Sequence, residues 1–191
     1  MFAVKASRYL THLRRLREPD EPVSRLMAAA RELGPRLGPV LVQLPPDMRR
    51  DLGALDATLA AFPADVRVTV EPRHESWMTA ETERLLERRD AALCLADRRG
   101  PLGPVRRTAS WGYLRLHAGR ARPAPCYGAR ALASWARRLA DLFAADETVY
   151  VFLNNDTEGC APRDARVLAL ALERAGLRPT RTPDAAEVPV G

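Results

Sequence analysis

The chain has 191 residues, of which 47% are hydrophobic and 28% charged, which is typical of a globular domain and excludes a disordered or fibrous chain. Its apolar runs are far shorter than the roughly 20 residues of a membrane span, and its first residues lack the pattern of a secretory signal. We therefore expect a cytoplasmic protein without a membrane association. The formal net charge of +6 makes nucleic acid a partner to consider.

Short apolar runs recur along the chain and predict six parallel strands. Most of the runs are almost continuously apolar, as in strands that are buried on both faces of a parallel sheet. They are Phe2–Ala6, Val40–Leu44, Val66–Val70, Ala91–Ala96, Gly112–Leu116 and Val149–Leu153.

Apolar residues at helical spacing predict amphipathic helices between these strands. One face of the first helix carries Val23, Met27 and Ala30, and Gly34 supplies its end. The stretch from Arg98 to Arg107 contains two glycines and two prolines and predicts a loop. The apolar stripes of the other predicted helices begin at Leu52, Leu85, Leu132 and Val167.

Strand alternating with helix predicts a parallel α/β fold, either an open doubly wound sheet or a (β/α)₈ barrel. No G-x-G-x-x-G or G-x-x-x-x-G-K-[ST] motif follows a strand, which disfavours the dinucleotide-binding and P-loop forms of the open sheet. We expect a single domain over residues 1–177 and a loose tail over residues 178–191.

Polar or ionisable residues follow nearly every predicted strand at its carboxyl end. In a parallel sheet these ends lie on one side, so we expect residues far apart in sequence to converge on one surface. A simpler interpretation is that strands end in polar residues where they emerge into water. The candidate site residues are Lys5, Gln43, Glu71, Arg73, His74, Trp77, Asp97, Arg115, His117, Asn154, Asn155 and Asp156.

Two carboxylates and two imidazoles of this set are candidate catalytic residues. Glu71 and Asp97 can form an acid–base pair on neighbouring strands, and His74 and His117 can transfer protons. The same histidines, with Asp97 and Asp156, can alternatively hold a divalent metal, although no H-E-x-x-H motif is present.

The other candidates are expected to bind a ligand. Arg73 and Arg115 can clamp a phosphate or carboxylate, or pair with neighbouring acids. Asn154, Asn155 and Asp156 are expected to orient the ligand at the end of the last predicted strand.

Alternatives stay open at the first three strand ends. Lys5 is expected to pair with Glu71, and a Schiff-base lysine is the alternative. Gln43 precedes Leu44-Pro45-Pro46 and is a candidate ligand-binding residue. Trp77 can stack on a ligand ring or anchor a loop.

The three cysteines Cys94, Cys126 and Cys160 are widely spaced and form no C-x-x-C pair. The sequence therefore suggests neither a zinc ribbon nor a disulfide framework. Cys94 lies within a predicted strand, where packing is a better interpretation than nucleophilic chemistry.

The basic residues favour solvated helix faces over a nucleic-acid surface. Lys5 is the only lysine, and the arginines are spread along the predicted helices and mixed with acids. Arginine-mediated binding of nucleic acid remains an alternative function.

Motifs with distinctive sequences occur at Phe2–His12, Leu41–Pro46, Glu71–Trp77, Ala92–Asp97, Tyr113–His117 and Phe152–Asp156. In this order they resemble internal motifs of the YecE-like family, domain of unknown function 72. The resemblance implies a TIM-barrel fold and implies no established activity, substrate or cofactor. Asp164 departs from the asparagine that is usual in this family, which would alter contacts near the last helix.

Family members carry two further strand–helix units before the segment that begins at Phe2. We therefore expect a (β/α)₈ fold with its first two units missing, from a truncated or misannotated reading frame, and a partner that covers the open side. The leading functional hypothesis is an enzyme-like barrel that binds a small polar or anionic ligand at the carboxyl ends of its strands. An inactive truncated remnant is a further alternative.

Overall fold

The computed structural model describes residues 1–98 and 103–182. Within them every paired strand has a parallel partner and helices alternate with most strands, which confirms the predicted α/β class. None of the helices in these residues is long and apolar enough to cross a membrane. Part of the predicted loop, residues 99–102, and most of the predicted tail, residues 183–191, lie outside the described residues.

The chain divides into two compact units. The first unit comprises Met1–Cys94 and Arg107–Ser110, and the second comprises Leu95–Arg106 and Trp111–Gly191. Each unit has its own parallel sheet and its own hydrophobic core.

The first unit contains a four-stranded sheet in the order β1-β2-β3-β4. Gln43 and Glu71 are partners in register at the carboxyl ends of β2 and β3, so their side chains start from neighbouring positions. The strands are β1 (Phe2–Lys5), β2 (Leu37–Gln43), β3 (Val68–Glu71) and β4 (Ala92–Leu93). The helices are α1 (Asp20–Ala30), α2 (Leu52–Ala61) and α3 (Ala80–Arg88).

The core of the first unit lies between its helices and its sheet. Val40, Val42 and Val70 of the strands are fully buried, as are Leu55 of α2 and Leu86 of α3. Removing such side chains from water contributes about 25 cal/mol per Å² of apolar surface. This burial explains why β2 lacks the alternation of apolar and polar residues that a strand with one solvated face shows.

Local signals set the ends of these helices. The Asp51 carboxylate accepts a hydrogen bond from the Ala54 N–H at 2.9 Å and caps the start of α2. Gly34 has a φ of 51° in the turn that follows α1, a conformation that glycine adopts without strain. α1 ends at Ala30, and Gly34 interrupts the 3₁₀ turn Arg31–Arg36 that follows, so the predicted stop lies four residues beyond the end of α1.

The second unit contains a three-stranded sheet in the order β5-β6-β7. Its core includes Leu114, Leu132, Leu139 and Leu168, which are buried between this sheet and its helices. The strands are β5 (Leu95–Asp97), β6 (Gly112–Leu116) and β7 (Val149–Leu153), and the helices are α4 (Ala129–Leu142) and α5 (Cys160–Arg174).

The predicted count of six strands is wrong, because the described residues form seven strands in two sheets. The predicted strand Ala91–Ala96 divides at Cys94 into β4 and β5. Its first part pairs with β3 and its second part pairs with β6, so the strand changes partner within a continuous apolar run. Hydrophobic periodicity cannot reveal this change of pairing partner, because both parts of the run are buried.

The second unit also corrects the expectation that the cysteines form no disulfide. Cys126 and Cys160 are bonded, with their Cα atoms 4.9 Å apart. Cys126 lies in the β6–α4 loop, residues 117–128, and Cys160 is the first residue of α5. Both segments follow carboxyl ends of adjacent parallel strands, which brings them together despite a sequence separation of 34 residues.

The β6–α4 loop is folded back on itself. The Gly119 N–H donates to the Pro125 carbonyl at 2.8 Å, and the Ala121 N–H donates to the Cys126 carbonyl at 3.0 Å. A Cβ at Gly119 would lie 2.0 Å from the Cys126 carbonyl oxygen, so only glycine fits this position.

The disulfide leads to a first prediction. Opening it should lower the free energy of unfolding by about 3 to 4 kcal/mol, because the bond closes a loop of the unfolded chain over a separation of 34 residues. Urea unfolding with and without dithiothreitol measures the effect. Thiol titration of the denatured, unreduced protein should detect one reactive group, from Cys94.

A Cys94→Ala variant is the matched control and should keep the full effect of the reductant. Three reactive thiols in the unreduced protein, or unfolding curves that coincide with and without reductant, would contradict the assignment.

Candidate functional site

A buried amide–carboxylate pair lies at the carboxyl ends of β2 and β3. The Gln43 Nε2 donates to the Glu71 Oε2 at 2.8 Å, and the Glu71 side chain is 0% exposed. The Arg73 Nε lies 3.6 Å from the Glu71 Oε1, and the Arg73 side chain is 30% exposed. A carboxylate removed from water is stable only with such donors and a cation, so Gln43 and Arg73 together compensate the charge of Glu71.

Further basic residues lie in the segment that follows β1. Lys5 ends β1 and is exposed, Arg8 follows it, and His12 lies on the π-helical turn Tyr9–Leu13. Burial is the largest cause that holds the pKa of His12 below its usual value, and the charges of Arg8, Lys5 and Arg73 act in the same direction.

Arg73 forms an ion pair with Glu71, and Lys5 lies at the exposed end of β1. The pairing of Lys5 with Glu71 stays a prediction. Arginine suits this position because its planar guanidinium stays charged and offers several donors beside a buried carboxylate.

The loops after the first three strands are tied to one another. Arg15, after β1, forms an ion pair with Asp47, after β2. The Trp77 Nε1, after β3, donates to the Met48 carbonyl at 2.8 Å, and the Trp77 side chain is 1% exposed. Trp77 therefore anchors a loop, one of the two predicted alternatives, and presents no open ring face to a ligand.

His74 organises the start of the loop after β3. Its Nδ1 accepts a hydrogen bond from the Ser76 N–H at 3.1 Å and caps the short helical turn Glu75–Trp77. The Ser76 hydroxyl in turn accepts from the Arg50 N–H at 2.8 Å. One ring nitrogen of His74 is thus committed to the backbone.

In the second unit Asp97 and His117 lie at adjacent strand ends. The His117 backbone N–H donates to the Asp97 backbone carbonyl at 2.9 Å. The Asp97 carboxylate accepts a hydrogen bond from the Trp135 Nε1 of α4 at 2.7 Å. The Arg115 Nε of β6 donates to the Asn154 Oδ1, just after β7, at 3.3 Å.

Asn155 serves the packing of the second unit rather than an open site. It is 1% exposed, and its Nδ2 donates to the Asp164 Oδ2 at 2.7 Å. The same carboxylate oxygen accepts from the Tyr127 N–H at 2.7 Å, which fixes the β6–α4 loop against α5. Asp156 follows Asn155 and is exposed. Burial raises the pKa of the Tyr127 hydroxyl, which accepts from the Ala118 N–H.

The described residues contain no group of three or more His, Cys, Asp and Glu side chains that could hold a metal ion. A groove on the first unit lies between α2 and α3. Among its charged residues, Asp56 contacts Arg89 at 2.7 Å and Glu81 contacts Arg84 at 3.8 Å.

Residues 1–187 match the family described as Protein of unknown function DUF72. The chain belongs to the DUF72 family. The predicted resemblance to the YecE-like family is thereby confirmed, and membership assigns no activity.

Solved DUF72 structures share this fold. A DUF72 family protein of Thermotoga maritima has 22% identity and a TM-score of 0.73, with 91% of this chain and 72% of that chain covered. One from Enterococcus faecalis has 17% identity and a TM-score of 0.68, with 87% of this chain and 71% of that chain covered. No curated protein gives a significant match to the chain.

Some of the residues that form contacts in these regions of the DUF72 chain were not identified from the sequence. Arg8 and Asp47 lie in loops beyond the strand ends, where spacing gives no sign of contact. Asp164 lies on a helix, and its only signal is the departure from the asparagine usual in the family. Asp164 accepts hydrogen bonds from Asn155 and Tyr127, and an effect of this departure on contacts near the last helix stays a prediction.

The buried pair leads to a second prediction. Gln43→Ala removes the donor to the Glu71 Oε2 and should lower the free energy of unfolding by about 1 to 3 kcal/mol, because a buried charged acceptor loses a hydrogen bond. Urea unfolding measures the change. Asn154→Ala removes an exposed amide as the matched control and should change stability by about 0.5 kcal/mol or less. Equal effects of the two substitutions would contradict the role assigned to Gln43.

Proposed function

We propose that the protein binds a small anionic ligand at the carboxyl ends of β1, β2 and β3. Arg73, Lys5 and Arg8 are the proposed contacts. The proposal rests on one observation above all, that the exposed cations Lys5, Arg8 and Arg73 lie at or just after the carboxyl ends of strands of one parallel sheet, with Arg73 ion-paired to the buried Glu71.

The local charge favours an anion over other small ligands. The carboxylate of Glu71 is closed to solvent and already engaged by Gln43, so it attracts an incoming cation poorly. Asp47 is exposed and engaged with Arg15. The cationic side chains reach solvent, and their combined potential concentrates anions at the strand ends.

Arg73 is the central contact in this proposal. Its guanidinium has several donors in a plane, which suits the oxygens of a phosphate, sulfate or carboxylate group. Glu71 and Gln43 act as positioning residues, because the buried carboxylate holds the Nε side of Arg73 and leaves its outer edge toward solvent. His74 and Glu71 remain the proposed proton-transfer groups of the first unit, and Asp97 and His117 those of the second.

The ion pairs of many arginines favour a small anionic ligand over nucleic acid as the partner. Many exposed arginines pair with acids, which reduces the charge available to a phosphate backbone. These pairs are Arg14 with Glu18, Arg25 with Glu21, Arg31 with Asp65, Arg84 with Glu81 and Arg89 with Asp56.

We also propose that the two parallel sheets derive from a (β/α)₈ barrel. The support is the alternation of strands and helices and the parallel register of every described ladder. In folds of this class ligands bind at the carboxyl ends of the strands, which is where the basic cluster of the first unit lies.

A third prediction tests the anion site with inorganic sulfate as the probe. Sulfate should raise the melting temperature of the protein with a saturable dependence on concentration, because it binds the folded state alone. Arg73→Gln should weaken sulfate binding at least tenfold, about 1.4 kcal/mol, when the affinity is measured by calorimetry.

Arg17 is an exposed arginine in the segment that follows β1, and it is not one of the proposed ligand contacts. Arg17→Gln is therefore the matched control. It should bind sulfate like the unsubstituted protein, which also corrects for the general stabilising effect of sulfate on proteins. Equal binding by the Arg73→Gln and Arg17→Gln variants, or no saturable binding at all, would contradict the proposed function.

A further inference from the structure

We propose that the groove between α2 and α3 is a second binding site, which takes a small carboxylate that carries an apolar chain. The carboxylate pairs with Arg84 and Arg88, and the chain lies over Leu52 and Leu85, all of which line the groove. The inference goes beyond the proposed anion site, because it concerns other residues of the first unit.

The first support is the size of the groove and the way in which α3 lines it. The groove has a volume of about 400 Å³, and pockets for small molecules measure roughly 300 to 1,000 Å³. Residues three, four and seven positions apart lie on one face of a helix, so α3 presents a single face to the groove. That face carries Glu81, Arg84, Leu85 and Arg88.

The second support is an apolar floor with room above it. Leu52 of α2 and Leu85 of α3 line the groove, and both pack with the core of the first unit. Gly53, next to Leu52, also lines it. Among the described residues, a Cβ at Gly53 would contact only the Asp51 Oδ1, at 3.6 Å, besides its chain neighbours and the α2 backbone. The missing side chain therefore leaves space between the helices, where an apolar chain can be removed from water.

The third support is that both acids of the groove already have arginine partners, and neither partner lines the groove. The Arg89 Nε donates to the Asp56 Oδ1 at 2.7 Å, and the Arg50 Nη1 donates to the Glu81 Oε2 at 3.0 Å. These contacts offset the negative charges of Asp56 and Glu81, so the two acids repel an incoming carboxylate less.

The arginines that line the groove are less engaged than its acids. The Arg84 Nη2 lies 3.8 Å from the Glu81 Oε1, and Glu81 already pairs with Arg50. The Arg88 guanidinium forms no hydrogen bond or ion pair within the part of the chain that the structure describes. Arg84 and Arg88 lie one turn apart on α3, so a carboxylate between them can accept hydrogen bonds from both.

The arrangement selects a ligand that has both a charge and an apolar part. A carboxylate without a chain leaves Leu52 and the space beside Gly53 in contact with water. An apolar molecule without a carboxylate covers the floor but leaves Arg84 and Arg88 without a counter-ion. Binding is non-covalent, and no bond of the ligand breaks.

The first experiment titrates the protein with octanoate and follows binding by calorimetry. Octanoate should bind saturably and at least tenfold more tightly than acetate, which lacks the chain, or octanamide, which lacks the charge. Arg88→Gln should weaken octanoate binding at least tenfold. Arg25→Gln is the matched control, since it removes an exposed arginine of α1, and it should bind octanoate like the unsubstituted protein.

The second experiment tests the groove itself with two substitutions at Gly53. Gly53→Leu places a side chain in the groove and should weaken octanoate binding at least tenfold. Gly53→Ala adds one methyl group at an ordinary contact distance and should bind octanoate within about twofold of the unsubstituted protein. In NMR spectra of the unsubstituted protein, octanoate should shift the amide resonances of Gly53 and Leu85.

Arg73→Gln separates this groove from the proposed anion site and should bind octanoate like the unsubstituted protein. Loss of octanoate binding in Arg73→Gln but not in Arg88→Gln would place the carboxylate at the strand ends and overturn the inference. Octanamide that binds as tightly as octanoate, equal affinities of Arg88→Gln and Arg25→Gln, or full binding by Gly53→Leu would overturn it as well. A failure of sulfate binding bears on the proposed function alone.

Discussion

A carboxylate that is removed from water must be matched by donors and a cation, and the first unit is arranged around this requirement at Glu71. The parallel register of β2 and β3 places Gln43 beside it, and Arg73 lies two residues beyond the strand end. Leaving a charge of this kind unpaired costs several kcal/mol. The position of the Arg73 guanidinium is thus fixed by the folding of the sheet, before any ligand arrives.

The arrangement of the rest of the proposed anion site follows from the direction of the strands. Parallel strands bring the loops after β1, β2 and β3 to the same edge of the first sheet, and the contacts of Arg15 with Asp47 and of Trp77 with Met48 join these loops. Basic side chains held on joined loops keep their spacing, which reduces the entropy lost when a ligand binds. In the second unit the polar residues at the strand ends form hydrogen bonds within the protein, as Asn155 does with Asp164 and Asp97 does with Trp135. We therefore place the proposed ligand in the first unit.

Hydrophobic periodicity was sufficient to predict where most strands and helices lie, because burial and helix-stop residues such as Gly34 act locally. It did not predict the division of one run at Cys94, since a change of pairing partner leaves an apolar run unaltered. The disulfide between Cys126 and Cys160 depends on loop geometry and has no spacing motif. The strand ends predicted Gln43 and Glu71 as separate site residues, whereas their hydrogen bond and the contributions of residues beyond the strand ends required coordinates.

The most direct test of the account is a crystal structure of the protein soaked with selenate, an analogue of sulfate whose selenium scatters anomalously. The account predicts an anomalous peak within hydrogen-bond distance of the Arg73 guanidinium, with Lys5 or Arg8 as a further contact. A soaked crystal whose selenate sites all lie away from Arg73, with the guanidinium open to solvent, would contradict it.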